Sequence, residues 1–281
     1  MKLELPTPLD YFATLVQTDA DFPLLEAAAS LAQDEYPELD LQQVLWTVDS
    51  LQARLATRRL REQPVLARIR ALNRFFYGEL GFEINRNDYY DPDNSYLHQV
   101  LQTRRGIPIS LGVLWLELAH SVGLQAHGVS FPGHFMLKVL LPEGQVILDP
   151  LTGKSYSSEE LTHQLQGQLP RLAMVEEETL PLGLFLQSAT PREIVARMLR
   201  NLKEIHRVQC DNERLLAVQH RLVCLLPGDW SERRDRGWTH DALGHVEEAI
   251  ADFEAYLSHV RDAEDAGDVR ARLAILRAGE L

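Results

Sequence analysis

The sequence predicts an α+β domain followed by an all-α region of paired helices. Three observations carry this reading. Residues 8–77 show helical periodicity throughout. Residues 109–148 read as one apolar helix followed by three short strands separated by turn signals. Beyond about Pro181 the texture is purely helical, and a 34-residue period appears.

In chain order, the spacing predicts a helix over Phe22–Tyr36, with Leu24, Leu25, Ala28, Leu31 and Ala32 on one stripe and Pro37 as its stop. A second runs from Leu41 to about Arg61, presenting Val44, Leu45, Val48, Leu51 and Leu55. A third covers Val65–Leu80 through Leu66, Ile69, Leu72 and Phe76. The segment from Asn85 to Leu97, with its Asp-Pro and Asn-Ser pairs, is a loop. Residues 109–122 are apolar on most faces, so that helix belongs inside the domain, and Gly123 caps it. Strands follow at about 125–131, 134–141 and 145–148, punctuated by Pro132-Gly133 and by Pro142 to Gly144. Helices followed by hairpin-linked strands indicate an antiparallel sheet.

In the helical tail, residues 212–227 precede residues 246–261 by 34 positions. The offset pairs Glu213 with Glu247, Leu216 with Ile250, Ala217 with Ala251 and Leu222 with Tyr256. Helical patterns at 191–208 and 230–243 lie upstream of each copy. Helix pairs at this spacing match the tetratricopeptide period, and Gly237, Ala249 and Phe253 fall at its small, small and aromatic positions. A plain antiparallel bundle is the other reading. The expected domains are residues 1–182, including an N-terminal helical subdomain, and residues 183–281.

Composition narrows the function. Apolar content of 45% and charged content of 25% describe a globular chain. A formal charge of −13 argues against a phosphate-backbone binder, so no nucleic-acid partner is expected. Arg58, Arg59 and Arg61, like Arg233, Arg234 and Arg236, sit among acidic residues and read as solvated helix faces. No apolar run reaches a membrane span, and the N-terminus lacks the apolar core of a signal peptide. With two cysteines, Cys210 and Cys224, read as buried inert thiols on repeat helices, the expected location is cytoplasmic.

Candidate chemistry concentrates between Arg104 and Lys154. His134 opens the second strand and Asp149 closes the third. A helix N-terminus, then His, then Asp is the order in which a papain-like or transglutaminase-like core assembles nucleophile, base and orienting carboxylate. No cysteine lies in the segment. His98, His120 and His127 have no metal-ligand spacing, Asp91 and Asp93 lack the glycine and glutamate of a calcium loop, and no phosphate or dinucleotide fingerprint occurs. No metal or cofactor is expected. Tyr89, Tyr90, Asn94, Ser95 and Tyr96 are candidates for lining a cleft mouth, or for packing on the N-terminal helices.

The run from Asn94 to Val139, with its Pro-Gly-His-Phe motif, the downstream Leu-Asp-Pro-x-x-Gly motif at 148–153 and the helical tail together resemble the bacterial SirB-type family. These are transglutaminase-like proteins with a C-terminal tetratricopeptide region, and the resemblance covers nearly the whole chain. It implies a papain-like core in the N-terminal two-thirds. Counting back from the turn at Gly123–Ala126, it places Pro108 where active relatives carry the nucleophilic cysteine. Proline has no nucleophilic atom but suits a helix first turn. Ser110 could be activated by His134, with Asp149 orienting the imidazole. Two positions on a helix rotate it by about 200° from Pro108, nearly to the opposite face. The expected function is therefore a non-catalytic interaction or regulatory protein, a pseudoenzyme gripping a protein or peptide partner with its helical repeats. The alternative is a divergent hydrolase or acyltransferase using Ser110, His134 and Asp149.

Overall fold

The computed structural model describes residues 6–168, 181–260 and 263–279. The N-terminal reading that rests on residues 1–5, and residue 261 of the second repeat copy, lie outside the described residues. In chain order the helices are α1 (Pro8–Leu15), α2 (Leu24–Ser30), α3 (Leu41–Ala56), α4 (Val65–Asn73), α5 (Leu97–Thr103), α6 (Pro108–Ser121) and α7 (Ser158–Gln168). They continue with α8 (Leu182–Phe185), α9 (Pro191–Val208), α10 (Asn212–Leu225), α11 (Trp230–Ala242), α12 (Val246–His259) and α13 (Ala266–Gly279). The strands are β1 (Glu83–Ile84), β2 (Arg105–Gly106), β3 (Ala126–Val129), β4 (Met136–Leu141) and β5 (Gly144–Leu148).

The chain forms two compact units, one of residues 23–32 and 38–195, the other of 1–22, 33–37 and 196–281. This differs from the expected 182/183 division. The boundary falls within α9, between Val195 and Ala196, and α1 groups with the C-terminal helices. The reason lies in α9 itself. Ile194, near its start, packs at Gly128 of β3, while the buried Met198, Leu199 and Leu202 belong to the helical unit.

The core unit is organised around α6. Leu111, Trp115 and Ala119 are completely buried, as an all-round apolar helix requires. Pro108 occupies its first turn, where no intrahelical N–H is needed. At the other end Gly123 takes φ of +73°, and Arg61 and Arg68 donate to the carbonyls of Ser121 and Gly123. Those terminal carbonyls have no partner within the helix, so two guanidinium groups satisfy them.

Strands β3, β4 and β5 form an antiparallel meander with Val129 opposite Met136 and Leu137 opposite Leu148. Alternation along β4 sends Leu137 toward Gly112 of α6. On the opposite face, Met136 joins Val129, Phe131, Ile147, Leu161, Leu165 and Leu186 in a cluster. Lys138 shares that face; it is 6% exposed and its ammonium donates to the Leu186 carbonyl at 2.8 Å. The predicted helix at 65–80 is α4 followed by a π-helical turn, Arg74–Glu79. A short parallel pair, β1 with β2, carries the Arg105–Glu83 ion pair.

In the helical unit, α10 and α12 start 34 residues apart, at Asn212 and Val246. The signature positions meet: a side chain at Gly237 would come within 2.7 Å of the Phe253 ring, so the glycine is what lets α11 and α12 approach. Ala249 and Phe253 are fully buried in a cluster with Tyr256, Val269, Leu273 and Leu276. The arginines of α11 are not a solvated face, whereas Arg59 and Arg61 are exposed as expected. Arg236 forms a bidentate pair with the buried Asp252, and Arg234 pairs with Asp235 and Asp265. In the core unit, Arg58 pairs with Glu79 and lies over Phe75. The thiols also differ from expectation. Cys210 is exposed and lies past the end of α9 with φ of +56°, while Cys224 on α10 is half-buried.

Candidate functional site

The turn between β3 and β4 presents His134. Gly133 holds φ of +71°, which favours glycine, and the His134 N–H donates to the Phe131 carbonyl at 3.1 Å. The next residue fixes the turn in place. Phe135 is 2% exposed, and its ring fills the space that side chains at Gly112 and Gly128 would need. The imidazole is thereby anchored by its neighbour's packing between α6 and β3.

Asp149 follows β5 and closes a tight loop. Its N–H donates to the Lys154 carbonyl and its own carbonyl accepts from Gly153 at 2.7 Å. The carboxylate accepts from the Leu151 N–H at 3.0 Å and the Thr152 hydroxyl at 2.8 Å. His134 Nε2 lies 3.4 Å from Asp149 Oδ1, long for a charge-assisted hydrogen bond. Burial opposes ionisation of Asp149. The hydrogen bonds from His134, Leu151 and Thr152 outweigh it and hold the carboxyl below the usual carboxylate range.

The loop is clasped from outside by residues that sequence reading missed. The Tyr77 hydroxyl donates to the Pro150 carbonyl at 2.9 Å, and Asn73 Nδ2 donates to the Gly153 carbonyl at 2.8 Å. Asn73 Oδ1 in turn accepts the Trp115 indole N–H at 2.9 Å, which ties the loop to α6. Burial, then the Asp149 charge, push the Tyr77 phenol well up, so it remains a donor. Gly153, at φ of +69°, sits so close to Tyr77 and Asn73 that a side chain would come within 2.7 Å of both. Tyr77 comes from the π-helical turn, an irregularity frequent at functional sites.

His134 and Asp149 open onto a cleft of about 450 Å³ whose far wall is α7, through His163, Gln164 and Gln168, with Tyr156 beside it. The signal for α7 was present as a polar face at helical spacing opposite Leu161 and Leu165.

The remaining candidates lie elsewhere. Pro108 is buried at the first turn of α6. Ser110 is completely buried, and its hydroxyl donates to the Asn94 carbonyl at 2.6 Å while accepting the Ile107 N–H at 3.1 Å. Asn94 is buried and its side chain staples the loop, donating to the Asp88 carbonyl at 2.7 Å and accepting from Asn85. Tyr96 is buried at the start of α5, whereas Tyr90 is 71% exposed. None of Tyr90, Asn94 and Tyr96 lines the His134 cleft. Among the described residues no His, Cys, Asp and Glu cluster has metal-binding geometry, and no helix is long and apolar enough to cross a membrane.

A buried central helix, an antiparallel meander and a tail of paired helices define a transglutaminase-like domain followed by tetratricopeptide repeats. The profile of the transglutaminase-like superfamily matches residues 42–200, and that of the tetratricopeptide repeat matches residues 202–274. The chain is 33% identical over 259 residues to a UPF0162 protein of Xylella fastidiosa, covering 92% of this chain and 91% of that protein. It is 27% identical over 260 residues to Protein SirB1 of Salmonella typhimurium, covering 90% and 86%. The chain thus belongs to the UPF0162 family, within the transglutaminase-like superfamily. A crystal structure of menin, described as revealing the binding site for Mixed Lineage Leukemia (MLL) protein, aligns over 90% of this chain and 70% of that chain at 10% identity and a TM-score of 0.41.

Proposed function

We propose that this chain is a non-catalytic interaction protein with a regulatory role, acting in the bacterial cytoplasm. The observation that carries the reading is the use of the α6 N-terminus. Pro108 has no nucleophilic atom, and the Ser110 hydroxyl is spent on Asn94 and Ile107 in a dry environment. A serine whose proton is donated to a backbone carbonyl is not poised for transfer to an imidazole. The tetratricopeptide repeats, a scaffold that generally mediates protein–protein contact, supply the partner-binding surface.

The juxtaposed His134 and Asp149 favour the second reading, a hydrolase or acyltransferase using Ser110. Fluorophosphonate labelling and hydrolysis of activated esters and amides by the purified chain separate the two. The interaction reading expects neither labelling at Ser110 nor turnover above that of the His134→Ala variant. Turnover abolished by His134→Ala, or labelling lost in Ser110→Ala, would overturn it.

A further inference from the structure

Among the described residues, the lining of the cleft beside His134 includes the Asp149 carboxylate and no lysine or arginine. In the tautomer that carries its proton on Nε2, toward Asp149, His134 offers Nδ1 as an acceptor. Across the cleft, Gln164 and Gln168 offer carboxamide oxygens. Pro132, Leu151 and the Tyr156 ring supply apolar and aromatic walls. Acceptors and one negative charge at the base, with apolar and aromatic sides, suit a ligand with a methylene stem and a cationic head. The chain as a whole carries a formal charge of −13, which favours approach of positive partners.

We infer that the His134–Asp149 cleft is a recognition pocket for a lysine or arginine side chain presented by a partner protein. The inference rests on the non-catalytic reading above and deepens it, because it gives the retained histidine and aspartate a binding role. Asp149 supplies the charge, and the Asn73–Tyr77 clasp keeps its loop from collapsing onto the ligand. The imidazole Nδ1 accepts from the cationic head.

The test is an NMR titration of the full chain with Nα-acetyl-lysine amide and Nα-acetyl-arginine amide, followed through the His134 and His163 ring signals. Nα-acetyl-norleucine amide and Nα-acetyl-glutamate amide are the comparison probes. At least one cationic probe is expected to shift His134 saturably, with affinity falling on the order of tenfold in Asp149→Asn and declining with added salt. Should Asp149→Asn misfold, Gln164→Lys, on a half-buried α7 position, places a competing cation at the same cleft and is expected to abolish the shifts. Equal binding of norleucine amide, preference for glutamate amide, or no saturable shift with any probe would each overturn the inference. Failure of the underlying reading looks different: it appears as His134-dependent ester or amide turnover, whatever the cationic probes do.

Discussion

Replacing Gly112 by alanine tests the packing that positions His134. An ideal Cβ at Gly112 would stand 2.5 Å from Phe135 Cε1 and 3.0 Å from Cδ1. Elsewhere in a helix this substitution gains about 1 kcal/mol from propensity. Here the ring cannot withdraw, because on its other side Gly128 already approaches so closely that a Cβ there would be 2.6 Å from Cζ. Overpacking a closed site costs about 1–3 kcal/mol, and a clash this close falls at the upper end. The net expectation is about 1–2 kcal/mol of destabilisation. Amide hydrogen exchange along α6 reads the core unit by itself and gives the opening free energy directly. Gly78→Ala is the internal comparison, since its Cβ would meet nothing nearer than Arg74 Cγ at 3.9 Å and should be neutral or stabilising. Phe135→Leu combined with Gly112→Ala should recover part of the loss as a coupling of about 1 kcal/mol. Protection of α6 in Gly112→Ala equal to or above that of the parent would refute the reasoning.

Three further outcomes are expected. Ser110→Ala strands the Asn94 carbonyl and the Ile107 N–H in a dry site, which costs about 1–3 kcal/mol by denaturant titration. A serine that contributed only a nucleophile would cost nothing. Asn73→Ala removes the acceptor of the Trp115 indole N–H and the donor to Gly153; a loss of about 2 kcal/mol and a displaced Trp115 indole resonance are expected. Acidification should weaken the helical unit through His220, which burial and then Arg236 hold down at about 4 against 6.5 unfolded. Its neutral ring pairs with Arg236, and Asp34, His240 and Asp252 also act on it. Because the folded value is the lower one, this stability is complete above about pH 6.5 and drains as pH falls toward 4. The full difference is about 3 kcal/mol, and partial exposure reduces it to about 1–2. A pH profile between 7.5 and 4.5 that His220→Gln leaves unchanged would remove His220 as the cause.

How much of this was legible depended on sequence distance. His134 and Asp149 could be found because each sits at a strand end marked by its own turn residues, Pro132-Gly133 and Pro150. The Gly237, Ala249 and Phe253 pattern was legible because repeat packing is set by neighbouring helices. The clasp on the Asp149 loop was not. Asn73 reaches Gly153 across 80 residues and Tyr77 reaches Pro150 across 73, and nothing local distinguishes such an asparagine or tyrosine from a surface one. Ser110 is a different case. Rotation around a helix placed it away from Pro108, but only the fold supplied Asn94 as its acceptor. For the arginines of α11, acidic neighbours in sequence suggested solvation, while their partners Asp252 and Asp265 lie on or beyond the next helix.

The membership of the helical unit has a consequence for how the chain comes to be folded. Phe12 of α1 lies beneath the Arg221 guanidinium, and Asp34 holds that guanidinium from 187 positions upstream. Arg221 is 1% exposed, so without the Asp34 segment its charge would meet no carboxylate among the described residues. A ribosome that has delivered α1 must therefore deliver most of the chain before α1 can settle. The core unit, contiguous apart from residues 33–37, has all its strands and its central helix far earlier. Synthesis thus favours an order in which the middle of the protein matures first and the two ends of the sequence close the helical unit last. A fragment cut at the apparent boundary near residue 182 would inherit the repeats without the segments that neutralise them.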